Sequence, residues 1–195
     1  MTRYIRLASS HDAPMLHAIY VPFVINTPVS FELVPPTEQE MSQRIEQILQ
    51  THPWLVCEEQ GELLGYAYAS QHRTRQAYQW SVDVSAYVHE RWRGKGVGKA
   101  LYTSLFALLR LQGFYNVYAG IALPNPASVA LHEAMGMRQV GVYSQVGYKL
   151  GVWHDVGWWQ QSLQSHNLEP VPPLDLESAQ RLPEWEKRLI SGLKI

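Results

Sequence analysis

Residues 91–105 read RWRGKGVGKALYTSL, where Arg91, Arg93, Lys95 and Lys99 are interleaved with Gly94, Gly96 and Gly98 and an apolar helical pattern follows directly. A helix N-terminus presents unpaired N–H groups and a partial positive charge. Glycines let the chain wrap closely around a bound group and take positive φ. Together these features predict a cradle for phosphate. Two familiar nucleotide motifs do not fit. The P-loop needs four residues between its first glycine and the Gly-Lys pair, then Ser or Thr. Here Lys95, Gly96 and Val97 separate Gly94 from Gly98–Lys99, and Ala100 follows. The dinucleotide pattern G-x-G-x-x-G fails because the glycines strictly alternate.

Upstream of the turn, WSVDVSAYV (residues 80–88) is rich in β-branched residues and reads as a strand. Beyond it, Val97, Leu101, Leu105, Leu108 and Leu109 predict a helix over about 97–111, which Gly113 terminates. Toward the N-terminus lie a short strand at 3–7, a helix over about 12–25, and a second helix opened by the capping box Thr37–Glu40. WLVCEE (54–59) and ELLGYAYAS (62–70) read as a hairpin turning at Gln60–Gly61. Downstream come a strand at 115–122, a helix begun by Asn125–Pro126, and two long alternating segments expected to pair across Gly147. Residues 165–181 form a proline-bearing extension. After it, Leu182, Trp185, Leu189, Ile190 and Leu193 predict a C-terminal helix docked on its own domain or on a sister subunit. The expected division is a main domain over 1–164 and an extension over 165–195. This order predicts an α+β (mixed α/β) domain built on a central sheet.

The chain has 195 residues, 46% apolar and 17% charged, an ordinary globular composition. A formal net charge of −1 removes any global electrostatic case for nucleic acid or membrane partners, so an anion site must be local. Cys57 is the single cysteine; it allows no internal disulfide, reads as the filling of a strand interior, and points to a reducing compartment. The stretch MTRYIRLASSHDAPM has no hydrophobic signal region and no segment is long enough to span a bilayer, so a cytoplasmic protein is expected. None of the eight histidines stands in a paired ligand spacing, and no metal site is expected. In His154–Asp155 the side chains of a strand would point to opposite faces, a structural pair.

The pattern that does fit the turn is R-x-x-G-x-G, running from Arg93 to Gly98. In this the sequence resembles the GNAT superfamily of acetyl-CoA-dependent N-acetyltransferases, whose pyrophosphate loop has that form. The segment NPASVALHEAMGM (125–137) has the spacing of the helix that lies along the pantetheine arm in that superfamily, with Met137 in place of a usual aromatic. The blocks PWLVCEE, GYAYAS, RTRQAYQWSVDVSAYV, LPNPASVALHEAMGM and GYKLGVWHDVGWWQ narrow the likeness to phosphinothricin N-acetyltransferases and relatives acting on methionine sulfoximine or sulfone. It runs from about residue 3 to 163. The fold so implied is a mostly antiparallel mixed sheet flanked by helices, with strands splayed at the acetyl-CoA site.

The resemblance implies acetyl transfer by direct attack of an amine in a ternary complex, and a homodimer. Freeing a small amine of its proton at neutral pH costs roughly 1.5–4.5 kcal/mol, so a base is needed. Period-2 alternation places Asp83, Ser85 and Tyr87 on one strand face unless a bulge intervenes. The related enzymes usually carry Glu where Asp83 stands; the shorter side chain favours a water relay. His132 is the second catalytic candidate, at a position often Tyr near the thioester sulfur. Main-chain N–H groups near Tyr87–Val88 would hold the oxyanion. Those of Gly94, Lys95, Gly96, Val97, Gly98 and Lys99 would take the pyrophosphate with Arg93, while Asn125 and Ser128 would contact the cofactor. An acidic acceptor needs a cationic pocket, for which Arg73 and Arg75 are the candidates. Phe31, Tyr78, Tyr148 and Lys149 lie in segments around the substrate in the resembled family. Trp153, Trp158 and Trp159 read as dimer or core packing rather than a ligand platform. The alternatives are another small amine or a protein N-terminus as acceptor, and a non-catalytic acyl-CoA-binding module.

Overall fold

The computed structural model describes residues 3–194; residues 1, 2 and 195, which the two expected segments include, lie outside it. Seven strands form one sheet in the order β1-β2-β3-β4-β5-β7-β6. They are β1 (Arg3–Leu7), β2 (Trp54–Glu59), β3 (Glu62–Gln71), β4 (Ser81–Val88), β5 (Asn116–Leu123), β6 (Arg138–Lys149) and β7 (Val152–Ser162). Only β4 and β5 run parallel. The helices are α1 (Ala13–Asn26), α2 (Glu38–Leu49), α3 (Val97–Gln112), α4 (Pro126–Ala134), α5 (Leu176–Gln180) and α6 (Trp185–Leu189). None of the described helices is long and apolar enough to cross a membrane.

Alternation along the strands feeds two cores. Leu55, Cys57, Leu64, Ala67, Val82 and Val84 pack with the apolar face of α3. Trp54, Val56, Leu63 and Tyr66 point the other way, against Leu16, Ile19, Met41 and Ile45 of α1 and α2. Burial pushes the Cys57 thiol up to about 11, as befits an inert core residue. The expected capping box is present: Thr37 Oγ1 accepts from Glu40 N at 3.1 Å, and Thr37 N donates to Glu40 Oε2 at 2.6 Å.

Position in this sheet creates an opening. β4 pairs with β5 only over Ser81–Asp83 against Asn116–Tyr118. Beyond Asp83, β4 continues to Val88 along β3 while β5 continues along β7. A wedge is left between them.

Two expectations are corrected. The last two strands do not reverse at Gly147, which lies inside β6 opposite His154; the reversal is at Leu150–Gly151, both with positive φ (51° and 81°). Gly147 is required for a different reason: a Cβ there would run into the Phe31 ring. The expected C-terminal helix is shorter than its periodicity implies: α6 holds only Trp185–Leu189 and a closing turn at Ser191–Lys194 follows, while α5 is an additional helix inside the proline-bearing extension. Trp185 and Leu189, four residues apart, enter the α3 core together with Leu176 and Ala179. Gly192 N donates to Ser104 Oγ at 3.0 Å, tying the tail to α3.

Candidate active site

The glycine turn divides its three glycines between two tasks. Gly94 and Gly96 take φ of +73° and +80°, with open space where a Cβ would stand. Gly98 instead lets α3 approach α4, since a Cβ there would lie 3.0 Å from Leu131. Ala100 N donates to Gly96 O, which starts the helix. Among the described residues the amides of Gly94, Gly96, Val97, Gly98 and Lys99 have no hydrogen-bond partner, whereas Lys95 N reaches Trp92 O at 3.4 Å. The turn thus holds five unpaired donors at a helix N-terminus. Val97 buries its side chain in the core and offers only its main chain. The cations are less uniform than the sequence suggests. Arg93 folds back, donating from Nε to Val88 O at 3.3 Å with its guanidinium 4.7 Å from the Phe23 ring. Lys95 Nζ lies over Trp92, and Lys99 and Arg91 stay exposed.

The wedge between β4 and β5 is a solvent-open cleft of about 370 Å³, lined by Val84, Ser85, Ala86, Tyr87, Tyr102, Gly120, Asn125, Ser128 and His132 among others. His89 N donates to Leu64 O on β3. Antiparallel alternation therefore turns the main chains of Ser85 and Tyr87 toward β3, and those of Val84, Ala86 and Val88 toward the gap. Of the expected pair Tyr87–Val88, only Val88 presents main-chain groups to the wedge. Tyr87 contributes its ring, packed 5.0 Å from Tyr20 and 5.2 Å from Phe23 and Tyr66, and burial keeps its phenol well above the ordinary range.

Asn125 caps α4, its Oδ1 accepting from Ser128 N at 3.2 Å. His132 is buried and both ring nitrogens are engaged. Nδ1 donates to Ser128 O at 2.7 Å, which leaves Nε2 of the neutral ring to accept from Tyr102 O–H at 3.0 Å. Burial lowers its proton affinity, so the ring is neutral at pH 7. His132, the second catalytic candidate, thus holds a neutral ring with both nitrogens paired inside the protein. Tyr102, a fully buried residue of α3, was hidden within an apolar helix pattern.

Asp83 shares its face with Ser85 and Tyr87, because the β3–β4 register runs without a bulge. Its Oδ1 lies 2.7 Å from His72 Nδ1, and burial, opposed by that hydrogen bond, raises its affinity for a proton. The His72 ring stacks on Tyr118 at 4.4 Å. His72, Arg73, Tyr118, Val140, Gly141, Tyr143 and Trp158 line a solvent-open recess of about 470 Å³. Trp158 is therefore a wall of this recess and not simply packing. Trp159 is core and Trp153 is exposed.

Of the expected substrate residues, Arg73 reaches the recess, with Nη1 on His72 O at 2.8 Å and its guanidinium 6.0 Å from Trp158. The Tyr78 ring is 6.0 Å from His72. Arg75 is exposed in the same turn. Phe31 covers Gly147. Lys149 is buried, its Nζ donating to Ser30 O at 2.5 Å, so it braces the loop between α1 and α2. Tyr148 turns outward against Trp153 and is not brought to the recess within one subunit. His154 and Asp155 form structural bonds, to Lys149 O and from Gln145 N. Among the described residues no cluster of three or more His, Cys, Asp or Glu could hold a metal.

The sheet thus opens beside its parallel pair, and unpaired amides stand at the start of the helix that follows. Residues 5–158 match the acetyltransferase (GNAT) domain family, and the chain belongs to it. It is similar to the phosphinothricin N-acetyltransferase of Streptomyces viridochromogenes, 40% identical over 169 residues covering 87% of this chain and 90% of that protein. The L-methionine sulfoximine/L-methionine sulfone acetyltransferase of Salmonella typhimurium is 32% identical, over 83% of this chain and 95% of that one. Among solved structures, a GNAT superfamily phosphinothricin acetyltransferase from Sinorhizobium meliloti in complex with AcCoA superposes with a TM-score of 0.83 at 36% identity, covering 88% of this chain and 94% of that one.

Proposed function

We propose that this N-acetyltransferase moves the acetyl group of acetyl-CoA to the amine of a small acidic amino-acid-like substrate of the phosphinothricin, methionine sulfoximine or sulfone type. The observation that carries the reading is the set of five unpaired amides at 94 and 96–99, at the end of the strand that leaves the cleft open. Those amides would take the diphosphate, and the thioester, which supplies the activated acyl group, would lie in the wedge. Main-chain N–H groups of Val84, Ala86 and Val88 are the donors available to the developing oxyanion. Arg73 and Arg75 supply positive charge beside the recess for an acidic acceptor. The names of the relatives support the choice of acceptor class.

A homodimer is part of the reading. Edge strand β6 and its hairpin partner expose Val140, Val142, Tyr143, Val146, Val152 and Trp153, an apolar ribbon suited to a second copy. A reducing, cytoplasmic setting is supported by the fully buried lone thiol of Cys57.

Thiol release from acetyl-CoA, screened against phosphinothricin, methionine sulfoximine, methionine sulfone, neutral small amines and a short peptide N-terminus, tests the proposal. Turnover is expected with the first three. Turnover confined to the peptide or to neutral amines would replace the acceptor class. Tight acetyl-CoA binding without thiol release from any amine would reduce the protein to a binding module.

A further inference from the structure

We infer that His72, oriented by Asp83, is the catalytic base that takes the proton from the acceptor amine, and that Asp83 is its positioning residue. This rests on the acetyltransferase reading above and goes beyond it by naming the atom that receives the proton.

The geometry leads there in four steps. A carboxylate accepts and does not donate, so the 2.7 Å contact places the proton of the neutral imidazole on Nδ1 and the lone pair on Nε2. The ring is held in place: it stacks on Tyr118 with planes 16° apart, and Tyr78 and Trp158 meet it edge-on at 6.0 and 6.3 Å. Nε2 has no partner among the described residues and is not among the buried nitrogens that lack one, so it is reachable from solvent, and His72 lines the open recess. Finally, the recess adjoins the cleft. Asp83 is the last β4 residue paired to β5, and Ser85, the next residue on the same face, already lines the wedge. Two residues of strand separate them by about 7 Å. Trp158, a wall of the recess, packs over Gly120, which lines the cleft, 3.5 Å from where its Cβ would be.

The rival bases are weaker on the same grounds. His132 has neither nitrogen free. Asp83 already spends an oxygen on His72. The other titratable or charged groups facing the ring are Arg73 from its own turn, Tyr78 from the turn before β4, Tyr118 from β5 and Tyr143 from β6. Only His72 combines a lone pair, a fixed orientation and access.

The step balances. Nε2 takes one proton from the ammonium, leaving a neutral amine and an imidazolium stabilised by the Asp83 carboxylate. The nitrogen lone pair forms the C–N bond, the C–S bond breaks with its electron pair on sulfur, and the second nitrogen proton ends on the thiolate. The imidazolium returns its proton to water in the recess.

The test compares His72→Phe, which keeps a ring for the Tyr118 stack, with His72→Gln and Asp83→Asn. Each is read by the pH profile of kcat/KM with a turned-over acceptor and by acetyl-CoA affinity in calorimetry. His72→Phe should lower kcat/KM at pH 7 by about 100-fold or more, with acetyl-CoA affinity within about twofold of wild type. The loss should shrink about tenfold per pH unit as the solution becomes alkaline and the amine deprotonates unaided. Asp83→Asn should show a smaller loss of the same shape, since the ring remains but its orientation does not. A packing role would lower activity equally at every pH. That result in both His72 variants, or kcat/KM within threefold of wild type with an unchanged profile, overturns the inference while leaving the acetyltransferase reading intact. Wild-type protein that binds acetyl-CoA and turns over no amine overturns both.

Discussion

At the C-terminal end of β4 the groups offered to a ligand are main-chain amides, whereas at its N-terminal end they are side chains. The first set, Gly94 and Gly96 to Lys99, lies within one short stretch of chain and needs only two glycines at positive φ and the start of a helix. The second set gathers His72 from the end of β3, Asp83 from β4, Tyr118 from β5 and Trp158 from β7. A main-chain site tolerates side-chain change except where the backbone needs glycine. A side-chain site tolerates nothing at the one atom that reacts, and much around it. Substitutions at the two ends should therefore separate cofactor affinity from acceptor chemistry.

After the His72 variants, the largest effect expected of this separation is at Gly96. At φ +80° a β-branched residue is strained, and its side chain would occupy the open concavity. Gly96→Val should weaken acetyl-CoA binding by about 10- to 100-fold in calorimetry, equivalent to roughly 1.4–2.7 kcal/mol. The pH profile of the residual activity should keep its shape. Unchanged affinity would show that the diphosphate lies elsewhere.

A smaller effect is expected at the other end. Arg75 is exposed in the turn between β3 and β4, and its guanidinium has no partner among the described residues. Arg75→Ala should raise KM for acidic acceptors by about 3- to 10-fold and for neutral ones by less than twofold, with acetyl-CoA affinity unaffected. Equal effects on both acceptor classes would remove Arg75 from the pocket.

The same contrast explains what could be read from the sequence. The cradle was legible because its cause is local: glycine spacing, a preceding strand and a following amphipathic helix all lie within one stretch. The face shared by Asp83, Ser85 and Tyr87 was legible for the same reason. His72 was not, because its meaning depends on register; only the pairing of Ser70 with Asp83 brings the end of β3 beside that carboxylate. Tyr102 was missed since one hydroxyl in an apolar helix looks like packing until His132 is found against it. The reversal at Leu150–Gly151 was misplaced at Gly147, a glycine kept by the approach of Phe31 from a loop more than a hundred residues away. The C-terminal periodicity was sound for Trp185 and Leu189, but the helix starts only after Pro183 and stops at Ile190, leaving Leu193 to a separate turn.

The smallest effect tests whether the cradle is truly a main-chain site. Lys99 stands in the first turn of α3, exposed, with its amide among the unpaired donors. Its ammonium can approach a bound phosphate through water-exposed space, where an ion pair contributes about 0–1 kcal/mol and salt screens it. Lys99→Ala retains the amide, the helix and the positive φ of its neighbours. Acetyl-CoA affinity should therefore fall only about two- to fourfold at low ionic strength, and the difference should largely vanish near 0.5 M salt. A loss as large as that of Gly96→Val, persisting in high salt, would mean that a side chain and not the backbone holds the diphosphate, and the contrast between the two ends of β4 would fail.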